Sequence, residues 1–517
     1  MEKKQTFLKG ALILSIAGAI SKLLGAIYRI PLARMIGAEG IGLYQMAYPI
    51  YTTILALATA GVPVAISIMV ARKETEGYSG DSFKILKASL FILFIIGLLL
   101  TLMVIQGAGI LADYVLKNPQ AYYPILAVSP AIFLAGLMSV FRGFFQGHQS
   151  MVPTAVSQVV EQLFRVTAVL ILAYFLVDKG IEYAAAGATF GAVIGGVAGL
   201  IVLIFYYIAF IRRHDIKYAN LLYSGESTAS LGRKMIKLAI PVSVGAVVLP
   251  LVQMLDAIIV PGRLIALNYT VSQATALYGH LSGMAAVLIS LPTIFTISIA
   301  TSMVPAISEA QARNDRRLLI ERLNYGFRGG MLISFPAAAG LFVLAFPICD
   351  LLYGAAEAGA ALEPLAFSAV VLAAFQISSA GLQGIGKPEI AMRHLVITGI
   401  FKVIFNYSLT SIPALNIKGA AIGTVLAFCL GSLLNLIYLK RYTGIRYETG
   451  RMLKILLVTV VMAITVKISY QYLVAYDVSS HLSTLLAITW GVIVYGILLL
   501  VVRELDIAMI RKIIKGA

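Results

Sequence analysis

The sequence predicts an all-α integral membrane protein of about fourteen transmembrane helices, on three observations. Sixty per cent of the 517 residues are hydrophobic and only 12% are charged, with a mean hydropathy of +0.93; soluble chains carry about 25% charged residues. Apolar runs of about 20 residues, enough to cross roughly 30 Å of hydrocarbon, recur along nearly the whole chain. Each run is continuous rather than alternating, which selects helices over a β-barrel.

In chain order the spans fall near 8–36, 44–70, 85–105, 121–145, 153–176, 184–210, 236–260, 275–303, 327–349, 363–384, 391–411, 418–439, 452–474 and 483–502. The start, Met1-Glu2-Lys3-Lys4 before a stretch with Ala17-Gly18-Ala19, has the outline of a signal peptide. Its apolar stretch runs on past the small residues, so it reads as a retained first span.

The formal charge of +17 sits mostly in short loops between the apolar runs, a topology signal rather than a nucleic-acid surface. With the N-terminus inside, the even-numbered connections carry Arg72, Lys73, Lys84, Arg212, Arg213, Arg233, Arg313, Arg316, Arg317, Lys440, Arg441 and Arg446. The odd ones carry few basic residues and hold Glu39, Asp113, Asp178, Glu182, Glu357 and Asp477. That asymmetry predicts both termini in the cytoplasm.

The chain also repeats itself. Gln146-Gly147 before Pro153 recurs as Gln383-Gly384 before Pro388, and the same displacement carries Arg165 onto Lys402. Ala65-Ile66-Ser67 recurs as Ala306-Ile307-Ser308, and Gly187-Ala188 with Gly191 as Gly419-Ala420 with Gly423. Three matches in one order, at displacements of 232 to 241, predict two copies of a six-helix unit. The expected division is an N-terminal lobe over 1–213, a C-terminal lobe over 214–441, and spans 13 and 14 within 442–517. Six is even, so the lobes share an orientation, as in transporters that work between two such halves.

No selectivity filter, phosphate-binding loop, metal-ligand spacing or nucleophile–base pairing is present in the sequence. The expectation is therefore no enzyme, no cofactor and no metal. Cys349 and Cys429 lie inside apolar runs and read as inert thiols.

Ionisable groups inside spans are costly and mark cavities or paths. Lys22, Arg29, Arg142, Glu161, Arg165, Asp256, Lys402 and Lys467 fall in or near apolar runs. Lys467 and Arg142 have a competing reading as snorkelling side chains, and Glu161 and Arg165, four apart, as a neutralising or ion-coupling pair. Lys22 and Arg29 are two helical turns apart, hence on one face of span 1. Arg165 and Lys402 occupy equivalent places in the repeat. Lys22, Arg29, Arg142, Arg165 and Lys402 against Glu161 and Asp256 predict an electropositive interior, the reverse of what a cation exporter needs. Phosphate or pyrophosphate is the natural guest. Gly187, Gly191, Gly195 and Gly199 form a small-residue stripe that reads as close helix packing. Tyr28, Tyr44, Tyr48 and Tyr51 offer hydroxyls to sugars.

The stretch from Gly10-Ala11-Leu12 through Ile20-Ser21-Lys22-Leu23-Leu24-Gly25 to Arg29-Ile30-Pro31-Leu32-Ala33-Arg34-Met35-Ile36-Gly37 resembles the first span of the stage V sporulation protein B group. These are polysaccharide-biosynthesis transporters of the multidrug/oligosaccharidyl-lipid/polysaccharide superfamily. Gly42-Leu43-Tyr44-Gln45, Gly61-Val62-Pro63-Val64-Ala65-Ile66-Ser67 and Glu161-Gln162-Leu163-Phe164-Arg165 are similar to that group too. The resemblance implies a flippase for undecaprenyl-linked sugar precursors, with lipid II foremost. It further implies a cationic central cavity, a groove for the lipid tail on the last two helices, and coupling to an ion or the membrane potential. Lys22 matches an arginine of the lipid II flippases. Tyr28-Arg29 departs from their arginine–acid pair, and their second-span basic pair has no counterpart around Tyr51-Thr52-Thr53. Those departures keep a capsule or teichuronic-type repeat unit open as substrate, and a cation-coupled multidrug antiporter of the same fold as the rival function.

Overall fold

The computed structural model describes residues 7–213 and 222–504, and among these it is helical with no strand. The helices pack into two compact units. One comprises Met1–Gly262 with Thr270–Gly279, the other Arg263–Tyr269 with His280–Ala517.

The first unit opens with α1 (Phe7–Ile27) and α2 (Arg29–Thr59). Gly37 sits inside α2 at φ 67° and ψ −176°, a left-handed conformation that a side chain would strain. The helix is broken there, ending one span at Ile36 and opening the next. Gly61 then separates α2 from α3 (Val62–Thr75), and Pro63 in the first turn of α3 has no N–H to leave unsatisfied. The unit continues with α4 (Ser79–Ile110), α5 (Tyr122–Val128), α6 (Pro130–Gly147), α7 (Val152–Leu176), α8 (Ile181–Arg213), most of α9 (Thr228–Ala266) and α10 (Val271–Tyr278).

Twelve helices are long and apolar enough to cross a bilayer among the described residues, or thirteen with the bent pair Ala356–Leu365 and Ser368–Gly384 as one span. Dividing Arg29–Thr75 at Gly37 and joining its first turns to α1 gives fourteen. Several helices start earlier than hydropathy predicts: α4 at Ser79 rather than 85, and α9 at Thr228 rather than 236. Hydropathy marks the hydrocarbon-embedded part, while the charged first turns continue the same hydrogen-bonded helix.

Packing and sequence repeat divide the chain differently, because α9, which the repeat assigns to the second lobe, packs with the first unit. The reason is a close backbone approach. A Cβ on Gly61 would lie 2.0 Å from the Ala239 carbonyl oxygen, and the Gly61 N–H donates to Ser243 Oγ at 3.0 Å. Around this crossing Phe83, Phe141, Phe144, Phe145, Ile66 and Leu93 form a buried core.

Residues 222–227, just ahead of α9, are anchored to α3 and α4. Lys73 lies 3.0 Å from Glu226, 3.4 Å from Glu76 and 3.5 Å from the fully buried Asp81. Asp81 also accepts from Ser224 Oγ, and Lys84 donates to the Glu226 carbonyl at 3.0 Å. These charges read in the sequence only as topology markers; here they form one network.

The second unit contains α11 (Ala286–Ala312), α12 (Arg316–Val343), α13 (Ala345–Tyr353), α14 (Gly359–Leu365) and α15 (Ser368–Gly384). After them come α16 (Pro388–Thr410), α17 (Ile417–Thr443), α18 (Thr449–Ala475) and α19 (Ser480–Val501). Its core gathers Ile307, Leu323, Phe327, Ile377 and Leu439. The repeated glycine motif makes the same kind of contact inside each unit. Gly147 of α6 abuts Val70 and the Ser67 carbonyl of α3, and Gly384 of α15 abuts Ile307 and the Val304 carbonyl of α11. The last two helices are tied on by Tyr495, which donates to the Leu332 carbonyl at 2.9 Å, and by Arg328 with Glu504 at 3.1 Å. Phe91, Leu99, Phe175, Phe205, Val492 and Val501 are exposed, a surface that suits lipid rather than water as solvent.

Candidate functional site

Tyr44, Tyr48 and Tyr51 recur at four and three residues on α2, so they share one face. Their rings touch in sequence, Tyr44 stacked on Tyr48 with centroids 5.4 Å apart and Tyr51 tilted against Tyr48 at 5.6 Å. The Tyr28 hydroxyl meets that of Tyr44 at 2.9 Å. Tyr28, Tyr44 and Tyr51 are buried, so only Tyr48 of the four retains partial exposure.

Arginines stand at both ends of this phenol ladder. Arg29 interacts with Tyr28, Tyr44 and Tyr48. Arg165 of α7 donates from Nη1 to Tyr48 Oη at 3.2 Å and from Nη2 to Glu161 Oε1 at 2.5 Å. The other carboxylate oxygen of Glu161 accepts from Arg142 Nη2 of α6 at 2.8 Å, and Arg142 Nε donates to Ser157 Oγ at 3.1 Å. The sequence predicted the Glu161–Arg165 pair by its spacing. Arg142 reads in the sequence either as a cavity residue or as a snorkelling side chain; here it turns inward to the same carboxylate.

The glycine stripe explains why these groups meet. A Cβ on Gly195 would lie 2.6 Å from the Glu161 carbonyl oxygen and 2.8 Å from Arg165 Cβ, and one on Gly199 would lie 3.1 Å from Glu161 Cβ. Backbone-to-backbone packing of α8 on α7 is thus placed directly behind the charged pair. From the other side Gly25 of α1 approaches Gln162 of α7, a Cβ there lying 3.3 Å from Nε2.

Three guanidiniums against one carboxylate leave this cluster with two net positive charges. The ion-paired side chains are 13 to 17% exposed, so water screens them little. The Nε atoms of Arg29 and Arg165 are buried without a hydrogen-bond acceptor among the described residues. An unpaired buried donor is costly. No group of metal-ligating side chains occurs among the described residues.

Of the remaining predicted residues, Lys22 is exposed on α1, Asp256 is half-buried on α9, and Lys402 is half-buried on α16 of the second unit. Ser157, Tyr48 and Gly195 were not predicted as parts of one site. The tyrosine spacing was the available signal for Tyr48.

The polysaccharide biosynthesis protein family model matches residues 7–311, more than half of the chain. The chain is 32% identical to Stage V sporulation protein B of Bacillus subtilis (strain 168) over 512 residues, covering 99% of this chain and 98% of that protein. The chain belongs to the polysaccharide biosynthesis protein family. It is also 31% identical to Lipid II flippase MurJ of Bacillus subtilis (strain 168), over 91% of this chain and 90% of that one. A MatE model matches residues 263–408. The fold matches the solved structure of a lipid II flippase MurJ in an inward closed conformation, with TM-score 0.72 and 16% identity over 95% of this chain and 99% of that one. It also matches an inward-facing multidrug resistance MATE transporter of the MOP superfamily, with TM-score 0.68 and 16% identity over 84% of this chain and 98% of that one. This member of the polysaccharide biosynthesis family is therefore a multi-pass membrane protein with a transporter fold. Where the names of its relatives state an activity, it is flipping or transport, not catalysis.

Proposed function

We propose that this protein is a flippase that moves an anionic, undecaprenyl-pyrophosphate-linked sugar precursor across the bacterial cytoplasmic membrane by alternating access. The observation that carries the reading is the buried arginine cluster of the first unit, with two more guanidiniums than carboxylates and orphan N–H donors aimed at no protein acceptor. Arg29, Arg142 and Arg165 would hold the pyrophosphate through charge-assisted bonds, the geometry in which arginine exceeds lysine. The phenols beside them would take sugar hydroxyls. Lys22 and Lys402 are proposed as further cationic contacts, and the polyprenyl tail would stay in lipid beside the last two helices, 442–517. The repeat-based lobes 1–213 and 214–441 and cytoplasmic termini belong to the same proposal. Coupling would use the membrane potential or an ion, with Asp256 the carboxylate to test. Lipid II, the cargo in the name of one relative, is the first substrate to assay; capsule or teichuronic-type repeat units are next.

The MatE match favours a second reading, a cation-coupled drug antiporter. Such a pump needs carboxylates to hold its cation, and the cluster here has the opposite sign. The experiment is a translocation assay in cells that depend on this protein, scoring external accessibility of the lipid-linked sugar. Arg29→Ala and Arg165→Ala at normal expression should each reduce translocation at least about tenfold, the effect of losing one charge-assisted contact. Full translocation in both variants would remove the site assignment, and proton-coupled efflux of cationic dyes would establish the rival.

A further inference from the structure

We propose that Glu161 is a resident anion of the arginine site, occupying the place of a substrate phosphate and yielding it when the headgroup binds. The inference rests on the anionic-headgroup reading above. Glu161 does more than neutralise its helical neighbour. Its two carboxylate oxygens go to two different arginines, Oε1 to Arg165 Nη2 at 2.5 Å and Oε2 to Arg142 Nη2 at 2.8 Å. That is the bridge two phosphate oxygens would make.

The arginines do not need Glu161 to hold their orientation. Arg142 is held by Ser157 at 3.1 Å, and Ser157 in turn donates to the Thr154 carbonyl at 2.8 Å. Arg165 is held by Tyr48 at 3.2 Å, itself stacked on Tyr44 and in tilted ring contact with Tyr51. Removing the carboxylate therefore leaves two oriented guanidiniums with free donors. Arg165 Nε already lacks an acceptor, so Glu161 does not saturate the site. The backbone beneath Glu161 is fixed by Gly195 and Gly199 of α8, so displacement of its carboxylate is a side-chain rotation.

A transporter must release what it binds, and a tethered competitor favours release. The internal carboxylate lowers the affinity of the arginines for phosphate and re-forms its bridge as the headgroup leaves.

The test measures binding of undecaprenyl pyrophosphate to the full chain in nanodiscs, together with translocation. Glu161→Gln should bind about tenfold more tightly than wild type and translocate more slowly, since release becomes limiting. Glu161→Asp keeps the charge but retracts it by one methylene, so it should bridge poorly and give a smaller gain. It serves as the second reading should Glu161→Gln fail to fold. If Arg165→Ala loses binding while both Glu161 variants bind no better than wild type, Glu161 is only a positioning or neutralising group and the proposal falls alone. If Arg165→Ala binds as wild type does, the headgroup site itself is misassigned and both readings fall.

Discussion

Arg165 makes two demands that a lysine cannot meet together. Its planar fork reaches Tyr48 with one terminal nitrogen and Glu161 with the other. Lysine offers a single point charge. Arg165→Lys should therefore keep the net charge yet lower translocation by about tenfold, the value of one lost charge-assisted bond. Equal activity of the lysine variant in the accessibility assay would mean that only the charge matters. What could be read of this residue in advance was its spacing from Glu161. Four residues on a helix fix a shared face, so the pair was legible. Arg142 was not, because it reaches Glu161 from another span, and only tertiary packing decides whether an arginine near a helix end turns outward or inward. The same limit applies to Lys22. Seven residues place it on a face with Arg29, but spacing does not say which neighbour covers that face, and Lys22 is exposed.

Between elements, the contact of α7 with α8 sets the site. Gly195→Val should displace Arg165 and Glu161, since even a Cβ would lie 2.6 Å from a backbone carbonyl oxygen. Overpacking of this kind typically costs about 1–3 kcal/mol. The variant should show a lower melting temperature in detergent and weaker headgroup binding. Gly109→Val, where a Cβ meets nothing within 4 Å, should leave binding unchanged. The stripe was legible as a packing motif, yet its partner helix was not, so its link to the charged pair emerged only in three dimensions. The anchored segment before α9 makes a separate prediction. Lys73 faces a fully buried Asp81, and Lys73→Met leaves that carboxylate with Lys84 at 3.5 Å as its remaining ion-pair partner, beside its hydrogen bond from Ser224. Breaking a buried pair costs about 3–5 kcal/mol where no other partner remains, so a loss toward the lower end should appear in thermal unfolding. Glu226 in the same network is held below the ordinary carboxylate range, first by Lys234 and then by Lys73. Its contribution is complete above the unfolded-state value and is lost as pH falls through the lowered folded value. Acidification into that range should lower the melting temperature of wild type, and Glu226→Gln should flatten the slope. An unchanged slope would show that the anchor does not titrate through this residue.

At the scale of the molecule, hydropathy made the helical membrane fold legible almost without loss, because a bilayer forces every backbone polar group to be satisfied within its own helix. The span limits read from hydropathy, 36 and 44, already bracket Gly37; what hydropathy did not show is that the break rests on one positive-φ backbone conformation at that glycine. Nor did the repeat foresee that α9 packs with the first unit, since sequence similarity records descent and the Gly61 approach records contact. The sign of the buried charge was legible and is the feature with most functional consequence. Arg142 and Arg165 meet on the Glu161 carboxylate while Arg165 and Arg29 border the row of phenols, in a chain similar to a protein named Lipid II flippase MurJ. The most direct measurement is depletion of this protein with chemical identification of the lipid-linked sugar that builds up on the inner leaflet, followed by complementation. The expected result is accumulation of an undecaprenyl-pyrophosphate sugar that wild type clears and Arg165→Ala does not. Absence of any such lipid, or its full clearance by Arg165→Ala, would contradict the assignment of an anionic headgroup to this cluster.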